Sequence, residues 1–265
     1  MREAALFFDI DGTLLSEVNG EIPDSALESL KEARRNGHKI YINTGRTICN
    51  IPPVLRRMEF DGYLCGCGTY ILCGDEILFF SSIPYEDGKK YIDKSAECKI
   101  EGIFEGVDDI YLTNRVTRFE RLESSRRYFG MRGLALETSI ENKNFIYDKI
   151  LIYTDEQSKT EEFFECITPE LDIIDRGSGI YECIQHGYSK ATAIEYVLNI
   201  LGMEKDQAYV FGDSSNDLSM FQYADHTIAL GDHDEVLEPY TEFVTKTVEE
   251  DGIRHALLHY HLIGE

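Results

Sequence analysis

A parallel, doubly wound α/β sheet interrupted by a separate α+β segment is the architecture this 265-residue chain predicts. Three observations carry the prediction. In the first third, short apolar runs alternate with amphipathic helical patterns, as in βαβ units. The middle third loses that alternation and reads as helices followed by paired strands. The last third regains it. One core split by an insertion explains the return; two tandem domains do not. The expected divisions are 1–83 with 188–265 for the core, and 84–187 for the inserted segment.

The elements follow in order. Residues 4–10 form an apolar run that predicts a buried strand. Residues 24–36 predict a helix, with Leu27, Leu30 and Ala33 on one face, Ser25 and Glu28 spaced for a capping box, and Gly37 at C′. A strand is expected over 38–43, a short helix from Pro52-Pro53, and a third strand over 63–65. Residues 69–82 read as a hairpin around Gly74-Asp75. In the insertion, 101–109 and 110–113 read as a strand pair, 148–154 as a strand, and 156–166 as a helix. The stretches 171–175 and 179–184 read as a hairpin around Gly177. Beyond Gly187, 190–201 predict a helix presenting Ala193, Val197 and Ile200. A strand over 207–211, a helix from near Asn216, strands at 224–230 and 243–244, and a closing helix over 249–259 complete the pattern.

Composition narrows the function. Lys and Arg total 26 against 49 Asp and Glu, a net charge of −23, which excludes a phosphate-backbone binder and an anionic membrane surface as partners. A small anion remains admissible where a metal inverts the local field. No apolar stretch approaches ~20 residues, and the N-terminal run lacks the length and cleavage site of a signal peptide. A cytoplasmic protein is expected. The seven cysteines agree: their number is odd, and most lie in apolar runs, as reduced core thiols do. Cys65-Gly66-Cys67 is too tight for zinc-ligand spacing. Oligomeric state leaves no signal in the sequence.

Four short segments carry chemistry. Asp9-Ile10-Asp11-Gly12-Thr13 follows the first strand directly. Ligands of open α/β sheets bind beyond the carboxyl ends of strands, and residues i and i+2 project to one side. Asp9 and Asp11 therefore share a site, where Gly12 lets the chain turn away. Two such close carboxylates call for a cation, and Mg²⁺ suits oxygen ligands. Asn43-Thr44-Gly45-Arg46 ends the second strand, offering a hydroxyl and a backbone N–H to phosphoryl oxygens; taken alone, it also reads as an ordinary strand-ending turn. Lys190 opens a helix behind Gly187-Tyr188-Ser189, against the preference of the helix dipole, which points to a nearby anion; taken alone, it also reads as a surface lysine. Gly212-Asp213-Ser214-Ser215-Asn216-Asp217 again follows a strand and supplies two carboxylates and an amide; taken alone, it also reads as an N-capping turn.

Together, and in this order, these segments resemble the four motifs of the haloacid dehalogenase-like phosphatases. The insertion and the tail segments Ala229-Leu230-Gly231 and Glu250-Asp251-Gly252-Ile253 resemble the Cof-type sugar-phosphatase branch. Two departures stand out: Cys67-Gly68-Thr69 where that branch carries Asn-Gly-Ala, and Gln185-His186 where many relatives carry Pro-Lys. The resemblance implies a Rossmann-like core with an α+β cap that closes over the site. It implies Asp9 as nucleophile forming an aspartyl phosphate, and Asp11 as general acid and base. It further implies Mg²⁺ held by Asp9, Asp213 and the backbone carbonyl of Asp11, with Asp217 orienting a water of the metal's shell. Thr44, Gly45, Lys190 and Asn216 would hold the phosphoryl oxygens of a small phosphorylated metabolite, most naturally a sugar phosphate. Arg46, Arg115, Arg118, Arg121 and His186 are candidate leaving-group contacts, with solvated surface positions the simpler reading. A phosphotransferase or phosphomutase on the same fold needs the same residues and differs by acceptor. A non-catalytic phosphate or metal binder would not need the Asp9/Asp11 pair.

Overall fold

The computed structural model describes residues 2–142 and 144–264. They form two compact units. The described residues of 2–45, 58–79 and 188–264 make the first; those of 46–57, 80–142 and 144–187 make the second. The chain leaves the first unit between Gly45 and Arg46. The segment 46–57, expected in the core, thus groups with the inserted residues.

The first unit holds an eight-stranded sheet. Its order is Phe243–Val244, His226–Ala229, Ala208–Gly212, Ala5–Phe8, Lys39–Asn43, Gly62–Cys65, Tyr70–Cys73 and Glu76–Phe80. The first six are parallel, and Tyr70–Cys73 returns antiparallel. Ala5–Phe8 is buried at every position, as a central strand covered on both faces must be. It lies between the strand that follows it in sequence and one 203 residues later in register, Ala5 pairing with Ala208. The order of the sheet therefore reverses at this strand, which makes its carboxyl end a topological switch point. On one face, Phe7 and Tyr41 pack with Ala193, Ile194 and Val197 of the helix Lys190–Leu201. Phe8 stacks on Phe211 at 4.3 Å.

Most expected elements lie within a few residues of their predicted bounds. The helix Asp24–Arg35 forms, but its capping box does not: Pro23 is the N-cap, and the Ser25 hydroxyl bonds to Asp251 instead. The expected helix after Pro52-Pro53 is a single 3₁₀ turn, Leu55–Arg57. The closing helix starts later than expected, at Gly252.

The second unit carries an antiparallel five-stranded sheet, ordered Leu171–Asp175, Ile180–Gln185, Lys149–Tyr153, Glu101–Glu105 and Ile110–Tyr111. One face packs Phe104, Ile150, Ile152 and Cys183 against Tyr91 and Phe163. The other packs Ile103 and Tyr153 against Leu122 and Phe129 of the helix Glu120–Met131. By strand alternation, Glu105, Lys149 and Glu182 belong to this second face. Their side chains are buried, with the Lys149 ammonium 3.5 Å from Glu105 and in direct contact with Glu182. Burial raises the Glu105 carboxyl above its ordinary range, and Lys149 opposes that rise. The segment 46–57 is tied in by Arg132, which donates to the carbonyls of Asn50 and Ile51, and by Arg46, which donates to the Tyr128 hydroxyl at 3.0 Å.

All seven cysteines are free thiols. Among the described residues, no helix is long and apolar enough to cross a membrane.

Candidate active site

The sheet itself sets the spacing of the site. Phe8 registers with Phe211, and the Asp9 N–H donates to the Phe211 carbonyl at 3.0 Å. Gly212 ends that neighbouring strand, so Asp213 emerges beside Asp9 at the switch point. Two carboxylates about 200 residues apart in sequence are thereby brought together by one parallel ladder.

Beyond Asp9 the chain turns tightly. The N–H groups of Thr13, Leu14 and Leu15 all donate to the Ile10 carbonyl. Gly12 sits at φ +77°, and a methyl there would lie 2.4 Å from Asp213 Oδ2. Both backbone angle and close approach therefore require glycine. The adjacent Thr13 hydroxyl donates to Asp213 Oδ1 at 2.6 Å.

On the other side of the cluster stands Lys190, the first residue of its helix. Ser189 caps that helix reciprocally with Thr192, as a capping box. Long side chains in a first turn project toward the helix N-terminus. The Lys190 ammonium reaches Asp9 Oδ1 at 2.8 Å and Asp217 Oδ1 at 2.6 Å, and is wholly buried. Asp217 Oδ2 accepts from the N–H groups of Asp213 and Ser214 at 3.0 and 3.1 Å. Asn216 Oδ1 accepts from Lys190 at 3.3 Å and from the Ser214 hydroxyl at 3.1 Å.

Electrostatics at this cluster are unbalanced. Burial, opposed by Lys190 and assisted by Asp217 and Asp11, raises the Asp9 carboxyl to about 6. Burial, then Asp217 and Asp9, pushes Asp213 up to about 9. Burial would lower the Lys190 ammonium, but Asp217 and Asp9 outweigh it and hold the pKa above the usual lysine range. Among the described residues, a single ammonium thus faces three carboxylates. Oxygens of Asp9, Asp213 and Asp217 lie within 4.8 Å of one another. An all-oxygen, net-anionic cluster without histidine or thiol fits a hard divalent cation such as Mg²⁺.

The expected site residues fall out as follows. Asp9, Asp213, Asp217, Lys190 and Asn216 form one bonded cluster. Asp11, half-buried, stands outside the carboxylate trio, two residues beyond Asp9. Thr44 and Gly45 follow the adjacent strand Lys39–Asn43; Thr44 is buried, its N–H bonded to Leu64 and its carbonyl to the Cys67 N–H. Arg46 lies in the second unit. Arg118 is engaged at the surface with Asp155; Arg115, Arg121 and His186 are exposed.

Sequence reading missed three members of the site. The Asn43 side chain donates to the Lys190 carbonyl at 3.1 Å. Thr13 lies within the first motif, where the sequence assigns it no task. Asp234 accepts from the Ser215 N–H at 2.7 Å and donates its own N–H to the Asp213 carbonyl at 2.7 Å. Its signal, a carboxylate just after the strand neighbouring that of Asp213, is too common to single out.

The chain resembles known proteins along nearly its whole length. A family model described as haloacid dehalogenase-like hydrolase matches residues 6–257. "Putative phosphatase YkrA" of Bacillus subtilis (strain 168) is 27% identical over 260 residues, covering 97% of each chain. The 5-amino-6-(5-phospho-D-ribitylamino)uracil phosphatase YwtE of the same organism is 25% identical, covering 93% of this chain and 94% of its own. Among solved structures, the subclass IIB sugar phosphatase BT4131 superposes with a TM-score of 0.82 at 26% identity, covering 98% of this chain and 100% of its own.

Proposed function

The chain belongs to the haloacid dehalogenase-like hydrolases, and from that premise we propose that it is a Mg²⁺-dependent phosphatase of small phosphate monoesters, sugar phosphates foremost, working through an aspartyl phosphate on Asp9. The observation that carries the proposal is the convergence of Asp9, Asp213, Asp217 and Lys190 at the switch point, with Asp11 two residues after Asp9.

Burial raises the Asp9 carboxyl to about 6, and the Lys190 ammonium beside it favours the ionised form that a nucleophile needs. The free oxygen of Asp9 attacks phosphorus; the P–O bond to the leaving alkoxide breaks, and Asp11 gives that oxygen a proton. Asp11 then takes a proton from the water that attacks the aspartyl phosphate. Inorganic phosphate departs and Asp9 is restored. Lys190 holds Asp9 in line and faces the transferring oxygens, with Thr44, the Gly45 amide and Asn216 as further donors. Mg²⁺ would be held by Asp9, Asp213 and the Asp11 carbonyl, with Asp217 beside them. When bound, it offsets the carboxylate charge and that of the phosphoryl group. Thr13 and Asp234 fix the Asp213 side chain and backbone for that task.

A sugar-phosphate substrate is supported by the likeness to BT4131, and a small metabolite in place of a nucleic acid by the net charge of −23. A cytoplasmic location is supported by the seven free thiols. The test is turnover of p-nitrophenyl phosphate with Mg²⁺ and after chelation, in the parent and in Asp9→Asn and Asp11→Asn, followed by a panel of phosphorylated sugars with and without a sugar acceptor. Loss of turnover on chelation and in both variants is expected, with phosphate released to water. Full turnover after exhaustive chelation, or in Asp9→Asn, contradicts the proposal.

A further inference from the structure

Resting on the role just given to Lys190, we infer that Asn43 is a positioning residue for the reaction, acting by fixing the first turn of the helix Lys190–Leu201. Asn43 ends the second parallel strand and is fully buried. By strand alternation it lies on the same face as Tyr41, which packs with that helix. Its Nδ2 donates to the Lys190 backbone carbonyl at 3.1 Å and approaches Met220 Sδ at 3.6 Å.

Two features separate this contact from ordinary packing. The first is what the side chain leaves undone. Among the described residues, Asn43 Oδ1 is buried with no hydrogen-bond partner. A buried orphan acceptor is destabilising, and an apolar residue of the same shape avoids that penalty. The Lys190 carbonyl, in the first turn of a helix, already has an intrahelical partner four residues on. Stability alone therefore gives no reason for an amide here, whereas placement of Lys190 does. The second is convergence of restraints on the same turn. The Ser189–Thr192 capping box fixes its start. Gly68, at φ +96°, lies so close to the Ser189 carbonyl that a methyl would be 2.4 Å from it. Asn43 supplies the restraint from the sheet side, between the strand that ends in Thr44 and the lysine that bridges Asp9 and Asp217. A small displacement of this mount would move the ammonium relative to both carboxylates.

The test is Asn43→Leu, an isostere without the donor, measured beside Lys190→Met and the double variant. Readouts are p-nitrophenyl phosphate kinetics, split into kcat and KM, and thermal unfolding. Asn43→Leu is expected to unfold at or above the parent Tm while kcat/KM falls about tenfold or more. In the Lys190→Met background the same change is expected to have no further effect on residual turnover. Asn43→Ser, which keeps a shorter donor, is expected to recover part of the loss. Turnover within twofold of the parent overturns the inference, as does a Tm and a turnover that fall together in Asn43→Leu. So does an undiminished effect of Asn43→Leu without Lys190. If Lys190→Met itself leaves kinetics unchanged, the role of Lys190 fails first, which separates that failure from failure of the inference.

Discussion

Replacing Lys190 with Met probes the buried charge arrangement directly. Its ammonium lies 2.8 Å from Asp9 and 2.6 Å from Asp217, with no exposure of the lysine side chain. At an effective dielectric of about 20, each such pair attracts by about 6 kcal/mol before desolvation is counted. Desolvation offsets much of that, and removing one partner of a buried pair costs about 3–5 kcal/mol, because the remaining charge stays buried. At about 2–4 °C per kcal/mol for a chain of this size class, the metal-free variant is expected to melt roughly 6–20 °C lower at pH 8. The deficit should shrink toward pH 5, because protonation of Asp9 relieves the stranded charge. Calorimetry of chelated parent and variant across that range is the assay. A deficit below about 1 kcal/mol at pH 8, or one that grows as pH falls, refutes the assignment of Lys190 as the counter-ion of the cluster.

Other consequences can be measured independently. Gly12→Ala places a methyl 2.4 Å from Asp213 Oδ2 at a positive φ; Mn²⁺ affinity, followed by electron paramagnetic resonance, should fall at least about tenfold, and unchanged affinity counts against the close approach. Asp9 and Asp213 have folded-state values raised to about 6 and about 9, so the folded, metal-free protein binds more protons than the unfolded chain through this window. The contribution of these two groups to stability is therefore present at low pH and lost as pH rises through those values. Mg²⁺ held by these carboxylates would displace the protons, so its stabilising shift in Tm should grow between pH 6 and pH 9, with proton release visible by titration calorimetry in buffers of different ionisation enthalpy. A pH-independent shift contradicts this. Lys149→Met removes the ammonium buried beside Glu105 and Glu182; a loss of about 3–5 kcal/mol is expected by denaturant unfolding, and a neutral result would mean that those carboxylates find other compensation.

Most of the site was legible in the sequence because its residues follow strands. Apolar runs ending in Asp9, Thr44 and Asp213 placed those groups at strand ends, and the helix Lys190–Leu201 was predicted at its observed bounds. What escaped has physical causes. Ser25 and Glu28 have capping-box spacing, yet the Ser25 hydroxyl bonds to Asp251, a partner 226 residues away that local pattern cannot reveal. Arg46–Arg57 follows a motif of the first unit but joins the second through Tyr128 and Arg132, again long-range contacts. The buried triad of Glu105, Lys149 and Glu182 joins three strands, a set of long-range contacts that local pattern cannot reveal. Asn43 ends the strand predicted over 38–43, and the partner that gives its side chain a task lies 147 residues on.

Asp9 as the phosphoryl acceptor is tested most directly by mass spectrometry of a reaction with p-nitrophenyl phosphate and Mg²⁺, quenched in acid during turnover and digested. A single acid-stable, base-labile phosphoryl group on the peptide containing Asp9, absent from Asp9→Asn, is the predicted result. Turnover with no such adduct at any quench time, or an adduct that persists in Asp9→Asn, contradicts the account.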